Sequence, residues 1–260
     1  GTTSTGLEWA LEDGVLTVSG NGEMPSYRNN FQADWLAEKS RIRSVVICDG
    51  VTSIGDFAFD RCTLLTSVDI PDSVTSVGDN AFYRCSGLTT IDIPDNVTII
   101  GSYAFDGCTL LTSVDIPDSL TSIGIYAFCG CSGLTTIEIP DSVTSIGKRA
   151  FFQCTGLTSV TFPDSITSIE EEVISNCTSL TEVIIPDGVT SIGNSAFAVC
   201  SGLTTIEIPD SVTTIGESAF YGCSGLTSVT IPAGVTSIER YTFWECSGLT
   251  SVTIPESVIS

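Results

Sequence analysis

Cysteine stands at positions 62, 85, 108, 131, 154, 177, 200, 223 and 246, a spacing of 23 residues kept without insertion or deletion. A fixed period of this length constrains a chain more than its composition does. Each unit is a copy that can bury its apolar side only against the unit before it and the unit after it, so the chain must stack. The stretch CSGLTTIEIPDSVTSIGKRAFFQ, Cys131 to Gln153, is the clearest copy.

Within a copy, Leu134-x-x-Ile137-x-Ile139 alternates in its second half, which predicts a short strand with its apolar side inward. Pro140 ends that strand, because proline has no N–H to give a ladder, and proline recurs at 71, 94, 117, 163, 186, 209, 232 and 255. Val143 and Ile146 face inward on a second extended segment, and Gly147 permits the next bend. Ala150 and Phe151 then form a small-large pair beneath a tight helical or 3₁₀ turn that returns the chain to the next cysteine. Coils start at Leu65, Leu88, Leu111, Leu134, Leu157, Leu180, Leu203, Leu226 and Leu249, and a degenerate one at Ile42 has Cys48 in the proline position, which makes ten starts. The column cysteines are expected to pack as small buried hydrophobes, since side chains in a parallel column point the same way and join poorly as disulfides. Cys48 and Cys129 fall off that column and are the more accessible thiols if any are.

The pattern LTTIEIPDSVTSIGKRAFFQC, with its IP, SIG and AF landmarks, resembles the leucine-rich repeat and, more closely, the BspA-like repeats of bacterial surface proteins. The resemblance covers Ile42 to the C-terminus. It implies a right-handed leucine-rich-repeat solenoid, β-rich with short helical or 3₁₀ returns and a parallel strand face. It also implies an extracellular or cell-surface location on a host-associated microbe, and adhesion or protein binding. LEWALEDGVLTVSGNGEMP looks like the cap segment that precedes such repeats.

Residues 1 to 41 lie outside the period. Leu7 to Leu11 and Val15 to Val18 alternate around Asp13-Gly14, a strong hairpin signal, and Ala33 to Glu38 suggests a short amphipathic helical turn. The expected division is an N-terminal cap at 1–41, with a β-hairpin and a short helix, followed by about ten 23-residue repeats at 42–260, the last truncated. Trp9, Phe31, Trp35 and Leu36 supply apolar surface to cover the first coil. The array stops shortly after Pro255, from which the expectation is that the natural protein continues or that a partner or second copy covers the last coil.

Chemistry is scarce. The chain has no histidine, which removes the commonest general base and metal ligand together, and no nucleophile elbow, Walker or dinucleotide fingerprint occurs in context. Cys129-Gly130-Cys131 is too sparse for a closed zinc site. The expectation is a non-catalytic protein with no cofactor and no resident metal. Nine basic against 31 acidic residues gives a formal charge of −22, which repels nucleic acid and anionic membranes, and no apolar run is long enough to insert in a bilayer.

Function is therefore sought in the columns that stacking leaves free. One runs through Asp69, Asp92, Asp115, Glu138, Thr161, Ile184, Glu207, Thr230 and Thr253, with a Ser/Thr column beside it that carries Glu182. A third follows the prolines, from Asp72 to Asp210. Four carboxylates in succession at the inter-strand spacing of about 4.8 Å repel one another. Three readings compete: a solvated face that keeps the chain soluble, an acidic groove for a basic segment of a host or bacterial surface protein, and calcium between neighbouring carboxylates. The candidate binding residues are Asp69, Asp92, Asp115, Glu138, Glu182, Ile184 and Glu207, on a curved face spanning roughly 45 Å. A structural spacer with no ligand and a carbohydrate-binding module are the alternatives. Aromatics on the return segment, Phe57, Tyr83, Tyr103, Tyr126, Phe152, Tyr221, Tyr241 and Trp244, alternate between two registers, which favours coil packing over a sugar platform. Two coils depart from the rule. SIEEEVISNC has Glu170 for glycine and Val173-Ile174 for Ala-Phe, so three consecutive acids need solvent or partners, and Glu239 replaces the last glycine.

Overall fold

Proline divides each coil into a strand before it and a turn after it. The computed structural model describes residues 1–27 and 33–260; Phe31 lies outside the described residues. Before each proline, three-residue strands at Ser67–Asp69, Thr90–Asp92, Ser113–Asp115, Thr136–Glu138, Ser159–Thr161, Glu182–Ile184, Ser228–Thr230 and Ser251–Thr253 form a first ladder. Pairing is parallel with a register shift of one period: Thr136 opposes Ser159 and Ser159 opposes Glu182. At residues 205–207 only a single bridge, Thr205 to Ser228, is made. The exception at position 48 shows what proline does. Cys48 has an N–H, donates it to Val18 O at 2.8 Å, and its strand runs one residue longer, through Ile47.

After proline the chain closes a turn by a backbone bond, as from Val74 N to Pro71 O at 3.0 Å, and enters a second ladder of mostly two-residue strands, Ser76–Val77 to Thr214–Ile215. Each ladder is entered through a threonine column. Thr112 donates both its N–H (3.0 Å) and its hydroxyl (3.2 Å) to Thr89 O on the first, and Thr121 does the same to Thr98 O (2.9 and 3.0 Å) on the second. Gly147, expected to allow a bend, has a different task. Its φ is not left-handed, and a Cβ there would stand 2.5 Å from Ile125 N of the coil before, so glycine is kept for close approach.

The return segment is a chain of 3₁₀-type turns rather than one helix. Ala58, Asp60 and Cys62 donate to the residue three before, at 3.1–3.3 Å, while Phe57, Phe59 and Arg61 between them donate to Asp79, Ala81 and Tyr83 of the next coil at 2.7–2.9 Å. Alternate N–H groups thus serve the turn and the stack. This geometry places two left-handed residues in every coil, among them Tyr103 (φ 57°), Tyr126 (58°) and Arg149 (58°) in one register and Arg61 (56°) and Arg84 (55°) in the other. Side chains there carry a strain of about 1–2 kcal/mol each.

The core is a set of columns. Phe59, Phe82, Phe105, Phe128 and Phe151 stack face to face with centroids 5.2–5.6 Å apart. Offset stacks of this kind add about 0.5–1.5 kcal/mol per pair beyond area burial. Ile174 interrupts the column, which resumes at Phe197 and Phe220. At the front, strands β1 (Glu8–Glu12) and β2 (Val15–Ser19) pair as an antiparallel hairpin turning at Asp13 and Gly14, both with positive φ. After the short strand β3 (Gly22–Glu23), strand β4 (Ser44–Ile47) lies parallel to β2, so the hairpin extends the first ladder. The 3₁₀ helix Asp34–Arg41 drives Trp35 inward, where its ring stacks on Phe59 at 6.0 Å and its Nε1 donates to Ala58 O at 2.7 Å.

Candidate functional site

Alternation across the first ladder sends Val68, Ile91, Val114 and Ile137 into the core and leaves Asp69, Asp92, Asp115 and Glu138 exposed, one above the next. Glu182, Ile184 and Glu207 are exposed on the same face. Among the described residues no ion pair reaches any of these six carboxylates. Strand pairing in the first ladder is uneven: Asp92 is paired with Asp115, but the steps from Asp69 to Asp92, from Asp115 to Glu138 and from Ile184 to Glu207 lack a ladder, and Thr89 N and Thr135 N reach the preceding threonine carbonyl only at 3.4 Å. Beyond the run, Glu138 pairs with Thr161 and Thr161 with Ile184. The second loosened step opens a cleft of about 280 Å³ lined by Ser113, Asp115, Thr136 and Glu138. This cleft joins two carboxylates to two hydroxyls, a donor-poor, acceptor-rich surface suited to ammonium or guanidinium groups. The post-proline aspartates, by contrast, do little to hold their turns; Asp141, which accepts Asp164 N at 3.1 Å, is one that links to the next coil.

The triple-acid coil resolves its own charge. Ser168 Oγ donates to Glu170 at 3.0 Å, Lys148 Nζ meets Glu171 at 2.9 Å, and Arg149 forks between Glu172 and the Tyr126 hydroxyl. Lys148 and Arg149 stand one period before the two acids they meet, so the pairing is readable from sequence once the stack is known. The Glu172 carboxylate, then Tyr126, hold the Arg149 guanidinium in its charged form beyond its usual range.

A second surface lies on the return side. Tyr103 and Tyr126 stack at 4.7 Å, and Arg84 and Arg149 sit over Tyr83 and Tyr126 at 5.1 and 5.3 Å. Farther along, Tyr221, Tyr241 and Trp244 with Ser195 and Ser218 line an open trough of about 410 Å³. Tyr241 meets Trp244 edge-on at 5.7 Å, and the two are 47% and 57% exposed. The two aromatic registers, expected to keep rings apart, converge here because their positions lie only three residues apart around the coil.

All eleven cysteines are free. From Cys85 to Cys246 the column thiols donate to a carbonyl of the coil before, a phenylalanine's in each case, as for Cys85 to Phe59 O at 3.1 Å, except at Cys200, where the acceptor is Ile174 O. Burial pushes the Cys62 thiol up to about 12. Cys129, off the column, is also buried, and burial together with the adjacent Asp106 carboxylate raises it to about 12, so it is no reactive thiol. Among the described residues no three carboxylates or thiols converge as a metal cluster, and no helix is long and apolar enough to cross a membrane.

The sequence profile of the BspA type leucine rich repeat region matches residues 30–158, 98–225 and 145–260. Among solved structures, a leucine-rich repeat protein from Bacteroides ovatus is 30% identical, with 97% of this chain and 76% of that chain covered and a TM-score of 0.66. A leucine-rich repeat protein from Eubacterium ventriosum is 27% identical over 96% of this chain and 82% of that chain, with a TM-score of 0.61. No functionally curated protein matches the chain.

Proposed function

Since the chain belongs to the family of BspA-type leucine-rich repeat proteins, we propose that it is a non-catalytic binding module, displayed outside the cell, that presents its acidic strand face to a basic segment of another protein. The observation that carries this reading is the run Asp69, Asp92, Asp115 and Glu138, exposed, stacked and without a cationic partner among the described residues. Stacked in one register by the repeat, the four carboxylates concentrate a field that attracts lysine and arginine and speeds encounter at low salt. Glu182 and Glu207 extend the charge, and Ile184, 50% exposed between them, adds an apolar contact.

The test is capture of a lysine-rich peptide by the full chain, with salt titration. Asp92→Asn, Asp115→Asn and Glu138→Gln together should weaken capture and flatten its salt dependence; undiminished capture by this triple variant overturns the acidic-face reading and leaves the spacer. A second reading rests on the trough of Tyr221, Tyr241 and Trp244, whose rings and two serine hydroxyls suit the faces and hydroxyls of a sugar. Binding on a glycan array that Trp244→Ala abolishes would support that reading over the first.

A further inference from the structure

Seven coils place glycine just after the second ladder, at Gly55, Gly78, Gly101, Gly124, Gly147, Gly193 and Gly216, and in each a Cβ would stand 1.9–2.7 Å from the backbone stacked before it. No side chain fits that gap unless the coils part. Glu170 and Glu239 nevertheless occupy the same position in two coils.

At both, the second ladder stops. Gly147, Gly193 and Gly216 donate to Ile123, Ile169 and Ile192 at 2.7–2.8 Å, but among the described residues neither Glu170 nor Glu239 makes the equivalent bond to Ile146 or Ile215. Thr144, Thr190 and Thr213 bond the preceding threonine carbonyl through both N–H and hydroxyl, whereas Thr167 and Thr236 make neither bond. The paired strands accordingly run from Ser76 to Ile146 and from Ser168 to Ile215 and end there. Each glutamate folds back on its own coil, accepting Ser168 Oγ or Ser237 Oγ at 3.0 Å. At Glu170 the coils stay joined on both sides of the breach: Thr158 and Thr181 keep the first ladder, and Arg149 and Phe151 donate across the return at 3.0 and 2.8 Å. Between these lies an opening of about 290 Å³ walled by Thr144, Ile146, Lys148, Ile166 and Glu170. The phenylalanine column is interrupted in the same coil, at Ile174.

We infer that the Ser-Ile-Glu coils are built-in seams: the glutamate Cβ wedges the second ladder open, and the solenoid flexes there as blocks instead of behaving as one uniform rod. The seam at Glu170 falls in the coil that carries Thr161, where the acidic column ends, so the block bearing Asp69 to Glu138 reorients relative to the block bearing Ile184 and Glu207. The inference stands on the wedge alone and does not depend on which ligand the strand face takes.

Hydrogen exchange of the full-length chain, read at single amides and corrected for intrinsic rates, tests it. Thr167 and Glu170 should be protected about tenfold less than Thr144 and Gly147, the loss expected for one missing hydrogen bond in an otherwise folded coil. Glu170→Gly should close the breach and raise protection at residues 167 and 170 to the level of their neighbours one period away, with Thr236 unchanged. Equal protection of Thr167 and Thr144 in the unaltered chain, or no gain at residue 167 in Glu170→Gly, overturns the seam.

Discussion

Gly124→Ala isolates close approach from backbone flexibility. The Gly124 φ lies outside the left-handed region, so alanine is conformationally welcome and by itself would stabilise by about 0.4–1 kcal/mol through the unfolded chain. Its methyl, however, would meet the Gly101 carbonyl carbon and Ser102 N at 2.5 Å. Relief requires parting the second ladder, which breaks Gly124 N to Ile100 O at 2.9 Å and the two Thr121 bonds to Thr98 O at 2.9 and 3.0 Å. Three bonds at about 1 kcal/mol each, less the unfolded-state gain, leave a net loss of about 2 kcal/mol. At about 2–4 °C per kcal/mol for a chain of this size, the melting midpoint should fall by about 4–8 °C in a thermal scan followed by circular dichroism. The control is Gly130→Asn: Gly130 is left-handed at φ 66°, no atom lies nearer than 3.8 Å to its Cβ, and asparagine tolerates that conformation at the equivalent Asn176. It should change stability by no more than about 0.5 kcal/mol. If Gly124→Ala melts at or above the parent temperature, the steric account of the glycine column is wrong.

Phe105→Ala removes a fully buried ring stacked on both Phe82 and Phe128, and urea unfolding should register a loss of about 3–5 kcal/mol. Trp35→Phe keeps the stack on Phe59 but strands Ala58 O without its indole donor; it should be destabilised by about 1–3 kcal/mol, less than Trp35→Ala in the same melt. Stability should also fall with alkali: the folded chain holds the Cys62 thiol protonated to about 12 where the usual value is 9.0, so protons are lost first from the unfolded chain. That contribution is whole below pH 9 and is lost as pH rises toward 12, and Cys62→Ala should flatten the slope of melting temperature against pH over that window.

The stack itself was legible because its rules are local and repeated. Leucine and isoleucine alternation, proline and the cysteine period predict the first ladder, the turn and the buried column at their observed registers. The glycine column is equally visible, but its reason is not: a bend and a close approach leave the same letter, and only the 2.5 Å distance to the neighbouring backbone separates them. The left-handed positions leave only a faint trace, in Gly107, Gly130, Gly222, Asn80 and Asn176, because inter-coil bonds impose the same backbone on Tyr103, Arg149 and Arg84. Alternation alone exposes the acids of the strand face, whereas the aromatic trough is not legible in the chain, because distance around the coil, not register along it, decides which rings meet. Adding the period to Lys148 and Arg149 gives Glu171 and Glu172, the acids they meet.

Eight of the nine column thiols, Cys85 to Cys246, are hydrogen-bonded into the coil before them, and burial raises all nine away from thiolate. An alkylating reagent therefore cannot touch them while their turns are closed. Nine chemically identical groups at nine known heights make the chain its own strain gauge: the order in which they become modifiable under partial denaturant, resolved by mass, would report which turns come undone first and how far an opening spreads before the next turn stops it.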